Sequence, residues 1–220
     1  MQRGILDIFF KIVSVLGHPI LIPTYLSLIT NEIYGLSSFT VLGFTFVFPM
    51  IVILFVSAIM LKSEKKQSLN EQNIDSVVSE MSDSGIWRLE RIFDSTRSRT
   101  MALNVELVSA ILGYFLFKSQ QMMALVMIFV AIASLSCMLI NNFWRISIHS
   151  FGWGFAMFVI FKYLPLYYNG FVVAMIAVLV CGLVLSSRLY LGRHNNLQVH
   201  LGFFIGLSVP AVLYLALAII

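Results

Sequence analysis

From residue 101 to the end of the chain, long apolar runs follow one another with only short polar turns between them. Each run approaches the roughly 20 residues that a helix needs to cross the hydrocarbon of a bilayer. Met101–Phe117, Met122–Ile140, Ser147–Leu164 (stopped by Pro165), Tyr167–Leu185 and Val199–Ile220 read as five such spans. Two more precede them, Ile5–Thr30 and Phe39–Leu61. The first holds Pro19 and Pro23, which predict a kink or two half-helices that do not both cross. In lipid each spanning segment must satisfy its own backbone polar groups, and helices do so. The expected fold is therefore all-α, a polytopic transmembrane bundle of six to seven spans.

Composition supports that reading. Of 220 residues, 60% are hydrophobic and 11% charged, against roughly a quarter charged in ordinary soluble domains. A core of this length cannot hide so much apolar surface from water. Cys137 and Cys181 both fall inside apolar runs and read as small hydrophobes facing neighbouring helices. At the N-terminus Asp7 and Lys11 interrupt the apolar stretch and no small-residue cleavage site follows, so the first span is read as retained.

The chain divides into an N-terminal transmembrane hairpin (1–62), a polar loop (63–100) and a transmembrane core (101–220). The first half of the loop is charged and rich in Ser, Asn and Gln. In its second half Ile86, Trp87, Leu89, Ile92 and Phe93 recur at near-helical spacing around Arg88, Glu90 and Arg91. That pattern fits either an amphipathic helix in the membrane interface or a helical lead-in to the next span. With seven crossings, one face collects Arg3, Lys62, Lys65, Lys66, Arg88, Arg91, Arg97, Arg99, Arg145, Arg188 and Arg193. The opposite face keeps Lys118 and Lys162, so the positive-inside rule puts the first face in the cytoplasm.

Three polar clusters share that basic face: Arg97-Ser98-Arg99, then Arg145-Ile146-Ser147-Ile148-His149, then the stretch from Ser187 to Gln198. Arginines supply bidentate donors and neutralise charge, which suits a phosphate. One histidine can attack phosphorus while another protonates the leaving oxygen. Among the remaining polar residues, His18 and His200 read as capping or packing residues. Gly202 and Gly206 read as a small-residue helix contact. Trp144 and Tyr190 on one face, and Tyr163, Tyr167 and Tyr168 on the other, read as interfacial belts.

On these residues the chain resembles the type 2 phosphatidic acid phosphatase (PAP2) family, which includes the vanadium haloperoxidases. The family's third motif reads Ser-Arg, five residues, His, three residues, Asp. Ser187, Arg188 and His194 match it, with Gln198 at the Asp position. The second motif, Pro-Ser-Gly-His, is matched by Ser147 and His149, with Ile146 and Ile148 replacing Pro and Gly. Of the first motif, Lys, six residues, Arg-Pro, the chain offers an arginine, Arg99 or Arg97. The resemblance covers about residues 90 to 210, and the His18-Pro19…Pro23-Thr24-Tyr25 stretch looks like the opening of small bacterial members.

The resemblance implies a PAP2-like core with His194 as nucleophile, His149 as general acid, and Arg188, Arg99 or Arg97, and Ser147 around the phosphate. Arg145 or Arg193 would stand in for the motif lysine. Gln198 would accept the Nδ1–H of His194, or Glu106 would supply the charge that Gln198 lacks. The implied activity is hydrolysis of a lipid phosphate or diphosphate through a phosphohistidine, without cofactor or metal. The implied partners are membrane lipids and a phosphorylated lipid substrate, with no nucleic acid. The implied location is a bacterial inner membrane. A non-catalytic relative that binds lipid phosphates is the alternative, and a small transporter is disfavoured because the ionisable residues gather at one face.

Overall fold

The computed structural model describes residues 2–26, 47, 51, 96–119, 121–163 and 170–219. The expected span Phe39–Leu61 apart from Val47 and Ile51, the polar segment from Lys62 through Phe93, Pro165, and the belt residues Tyr167 and Tyr168 lie outside the described residues. The described residues are helical apart from short turns, with no strand among them.

Six α-helices carry the described architecture. α1 is Gln2–Leu16, followed by a 3-10 turn at Pro19–Leu21. α2 is Thr96–Phe117, α3 is Gln121–Phe143, α4 is Ile148–Tyr163, α5 is Gly170–Tyr190 and α6 is Asn196–Ile219. Among the described residues, four segments are long and apolar enough to cross a membrane: Arg99–Phe117, Ala124–Phe143, Gly170–Tyr190 and Asn196–Ala216. Gly4–Leu16 and Pro19–Leu26 together make a fifth if the pair, bent by 45°, is one broken span. Large apolar side chains such as Phe171, Leu179, Phe204 and Leu215 point outward. Several of the described helices are thus long and apolar enough to span a membrane, consistent with an integral membrane protein.

α4 sits at the centre. Phe151, Trp153, Phe155, Ala156, Met157, Val159 and Ile160 are all buried along it, as expected of a helix that is hydrophobic all round. It packs most extensively on α6, and α2 packs comparably on α3, while α5 also lies against α4. Glycine sets the α4–α6 distance. A Cβ on Gly154 would collide with the Phe203 carbonyl, and one on Gly206 with the Phe151 carbonyl. The Gly202/Gly206 pair is thus a backbone-to-backbone helix contact, as its spacing predicts.

The break after α1 falls where prolines were expected to force one. Pro19 has no N–H to continue the helix, and the freed carbonyls find other donors. The His18 N–H donates to Val15 O at 3.2 Å. The Tyr25 hydroxyl donates to Leu16 O at 2.7 Å, and the Trp153 indole donates to Gly17 O at 2.9 Å. His18 itself caps the turn, its Nδ1 accepting from the Ile20 N–H at 3.3 Å.

Several boundaries move outward from the sequence expectation. α2 begins at Thr96, so the first arginine cluster is helical and not the end of a loop. α5 runs past Leu185 to Tyr190, which puts Ser187 and Arg188 on its last turn. Short turns at 144–147 and 191–195 join antiparallel neighbours. The start of α2, the end of α3, the start of α4, the end of α5 and the start of α6 therefore share one end of the bundle.

Candidate active site

The spacing between Arg188 and His194 is built from two helix-end motifs. The Arg193 N–H donates to Arg188 O at 3.2 Å and the Gly192 N–H to Leu189 O at 3.1 Å. That bond pair is a Schellman motif, and it needs a left-handed residue just past the helix. Gly192 supplies it at φ 65°. Two residues on, Asn195 caps α6. Its Oδ1 accepts from the Gln198 N–H at 2.8 Å, and Gln198 Oε1 accepts from the Asn195 N–H at 3.2 Å. This reciprocal pair is a capping box with Gln at the third helical position. His194 is held between the two motifs.

The capping box also fixes the chemistry of His194. A backbone N–H only donates, so the Gln198 atom it meets is the carbonyl oxygen. That oxygen lies 3.2 Å from His194 Nδ1 and only accepts, so Nδ1 carries the proton. Nε2 is left with its lone pair. It lies 3.1 Å from Arg99 Nη2, and a guanidinium only donates. Both neighbours demand the same tautomer. Glu106 hydrogen-bonds Ser134 and lines an apolar cleft with Leu103, Phe129 and Cys137.

Arg99 is buried at 4% exposure. Besides His194 it reaches Asn141 Oδ1 at 3.5 Å and Ile146 O at 3.4 Å, joining α2 to the end of α3 and to the 144–147 turn. Arg188, at 3% exposure, donates to Ser14 Oγ of α1 at 2.6 Å. His149 is the second residue of α4, where free backbone N–H groups give the helix end positive character. It is 7% exposed, and its Nε2 has no hydrogen-bond partner among the described residues. Arg188, Arg99, His18 and His194 all lie within electrostatic reach of the His149 ring.

Five of the residues singled out from the sequence therefore meet at one buried place: Arg99, His149, Arg188, His194 and Gln198. Ser147 is adjacent and fully buried, and its hydroxyl caps α4 by accepting from Ser150 N and Oγ at 3.4 and 3.0 Å. The Ser147 N–H donates to Gln198 O at 3.3 Å, tying the second cluster to the third. Arg145 is an exposed residue of the same turn, and Arg193 is partly exposed on the other. Arg97 lies in the first turn of α2, and its side chain is outside the described ones. His200 faces outward, with Nδ1 2.7 Å from Asn196 O.

Three participants were not expected. Ser14 and Asn141 each accept from a guanidinium, and His18 stands edge-to-face with His149 at 4.9 Å between ring centroids. Asn141 was visible only as a polar residue ending an apolar run. Ser14 carried no signal beyond being polar within the first span. Among the described residues no three His, Cys, Asp or Glu side chains are grouped as metal ligands. Comparison with family models, with curated proteins and with solved structures found no match.

Proposed function

We propose that this protein is a membrane-embedded phosphatase of PAP2 type, acting on a lipid phosphate or diphosphate. The observation that carries the reading is the fixed His194: Nδ1–H held by Gln198 at 3.2 Å, and the Nε2 lone pair facing a guanidinium at 3.1 Å. A phosphoryl group entering between Nε2 and Arg99 exchanges that contact for one between guanidinium and phosphate oxygen. Nε2 then attacks phosphorus, and the bond to the leaving oxygen breaks with its electron pair. His149 delivers a proton to that oxygen. Water next attacks the phosphohistidine, giving its proton back to His149 and releasing inorganic phosphate. Arg99 and Arg188 hold the phosphoryl oxygens throughout, so positioning and electrostatics carry the reaction.

The substrate class follows from the surroundings. The apolar cleft starts one helical turn below the polar cluster, where Leu103 follows Arg99 by four residues and Pro19 follows His18 by one. A hydrocarbon chain fits such a lining while the headgroup stays among the arginines. The finer architecture belongs to the same reading: six to seven spans, a PAP2-like core over 101–220, a bacterial inner membrane, and the site at its cytoplasmic face.

One observation favours a second reading, a relative that binds lipid phosphates without cleaving them. Gln198 is neutral where an aspartate would stabilise the charge on His194 during transfer. The test is phosphate release from a panel of phosphorylated lipids by purified protein in detergent, wild type against His194→Ala. Release that depends on His194 supports the enzyme. Equal release from both proteins, or none from either, rejects it, and saturable lipid-phosphate binding without release would establish the second reading.

A further inference from the structure

The family resemblance assigns nothing to the N-terminal helix, yet that helix touches two of the site's central side chains. Ser14 and His18 are four residues apart and so share one face of the chain as it leaves α1. Ser14 is 1% exposed and accepts from Arg188 at 2.6 Å. His18 meets His149 edge-to-face, at 4.9 Å and 81°. We propose that the broken N-terminal helix is part of the reaction site, with Ser14 positioning the Arg188 guanidinium and His18 positioning the His149 ring. The inference rests on the phosphatase reading and extends it to residues outside the 101–220 core.

The approach of α1 to α5 looks built for this purpose. The two helices run antiparallel: Phe10 packs on Tyr190, with ring centroids 4.4 Å apart, Ser14 meets Arg188, and Gly17 lies against Val184. A Cβ on Gly17 would collide with Val184 Cγ2, so glycine permits the depth that brings Ser14 to Arg188. The break is held in place by the Trp153 indole on Gly17 O at 2.9 Å, and Trp153 belongs to α4, the helix that carries His149. One helix thus positions both its own histidine and the partner that abuts it.

His18 is itself fixed. Its Nδ1 accepts the Ile20 N–H, so the neutral ring carries its proton on Nε2. The His149 ring it abuts is buried and has Nε2 free of hydrogen-bond partners among the described residues. A catalytic histidine needs an orientation set by something other than the nitrogen that works on substrate. For His194 that support is Gln198, and for His149 it is the ring of His18. His18 and Ser14 touch no reacting atom in this scheme and are positioning residues.

The test uses the full-length protein in detergent and two phosphate monoesters, a long-chain alkyl phosphate and 4-nitrophenyl phosphate. The alkoxide is a poor leaving group and needs a proton, whereas nitrophenolate does not. His18→Asn retains an acceptor for the Ile20 N–H, since Asn is a good cap, and removes the ring. Its kcat on the alkyl ester should fall roughly tenfold to a hundredfold, within the range of general-acid contributions, while the aryl ester loses little. Ser14→Ala should instead weaken inhibition by orthovanadate on the order of tenfold, the scale of one lost bond to a charged group, with unchanged leaving-group dependence. Equal loss on both esters for His18→Asn, in protein that keeps the wild-type melting temperature, overturns the role of His18. Unaltered vanadate inhibition in Ser14→Ala overturns that of Ser14. If the wild type hydrolyses neither ester, the phosphatase reading fails separately. The inference is then decided by thermal stabilisation with inorganic phosphate, which both variants must weaken and whose persistence rejects it.

Discussion

The Arg99 guanidinium and the His194 imidazole meet through Nη2 and Nε2 at 3.1 Å, although 95 residues separate them in the chain. Both are buried, and each has its orientation set from behind. Asn141 and the Ile146 carbonyl hold Arg99, and Gln198 holds His194. The contact joins the start of α2 to the start of α6 across the site end of the bundle. It makes Arg99 a tie between helices, and under the proposed function the same guanidinium would also be a ligand for the incoming phosphoryl group.

Arg99→Ala is therefore expected to harm stability and activity together. It strands Asn141 Oδ1 and the Ile146 carbonyl, and each buried polar group left without its partner costs about 1–3 kcal/mol. Arg99→Lys keeps the charge but not the fork that reaches three acceptors. It should recover much of the melting temperature and little of the phosphate release. Thermal unfolding in detergent beside a phosphate-release assay checks both halves. Full activity in Arg99→Lys would show that charge alone suffices.

Gln198 joins two functions in one carbonyl oxygen, the capping box of α6 and the bond to His194 Nδ1. Gln198→Glu has the same length, and glutamate serves a capping box equally well. It adds charge beside a helix N-terminus, where negative charge is favourable, and a charge-assisted bond is roughly twice as strong as a neutral one. Turnover is expected to rise with the melting temperature unchanged or higher. Gln198→Asp is one methylene shorter and cannot span both partners in the present geometry, so a gain in turnover there should come with a loss of about 1 kcal/mol in stability. A fall in turnover for Gln198→Glu would mean that the neutral amide is suited to its site.

What could be read from the sequence is what is local. Apolar runs placed the ends of α3, α4 and α6 within a few residues, and Pro19 located the break in the first span. The spacing from Arg188 to His194 to Gln198 marked one wall of the site because that wall is nearly contiguous in the chain. The start of α2 and the end of α5 differ from the sequence expectation for one reason. Thr96–Thr100 and Ser186–Tyr190 are polar or mixed, so hydropathy marks where lipid ends and not where the helix ends. Ser14, His18 and Asn141 were not legible as site residues. Each acts through a contact distant in sequence, as between Ser14 and Arg188, 174 residues apart, and a single polar residue in an apolar run does not announce its partner.

Gly192 stands at φ 65° with nothing near a Cβ placed on it. Sterics around the site are open, so the cost of Gly192→Ala is conformational. A left-handed L-residue costs roughly 1–2 kcal/mol, and Asn less, because it tolerates that region. Gly192→Ala is expected to lower the melting temperature and to loosen the Schellman turn between Arg188 and His194, reducing phosphate release. Gly192→Asn should lie between it and the wild type. Equal behaviour of the Ala and Asn variants would indicate that the turn finds another conformation.

Gly206 and Gly182 provide the matching steric contrast. Both are helical, in α6 and α5. A Cβ on Gly206 would strike the Phe151 carbonyl, a backbone atom with no rotamer to change, whereas one on Gly182 meets nothing within 4 Å. Gly206→Ala must therefore push α6 away from α4, costing about 1–3 kcal/mol as overpacking does. The shift also moves the nearby Ser147–Gln198 bond, at the same end of this helix pair. Gly182→Ala gains helix propensity, up to about 1 kcal/mol. The expected pattern is a lower melting temperature with impaired phosphate release for Gly206→Ala, and an equal or higher one with intact release for Gly182→Ala. If both substitutions are tolerated alike, α4 and α6 do not approach through their glycines, and the position of His149 relative to His194 would have to be set by other contacts.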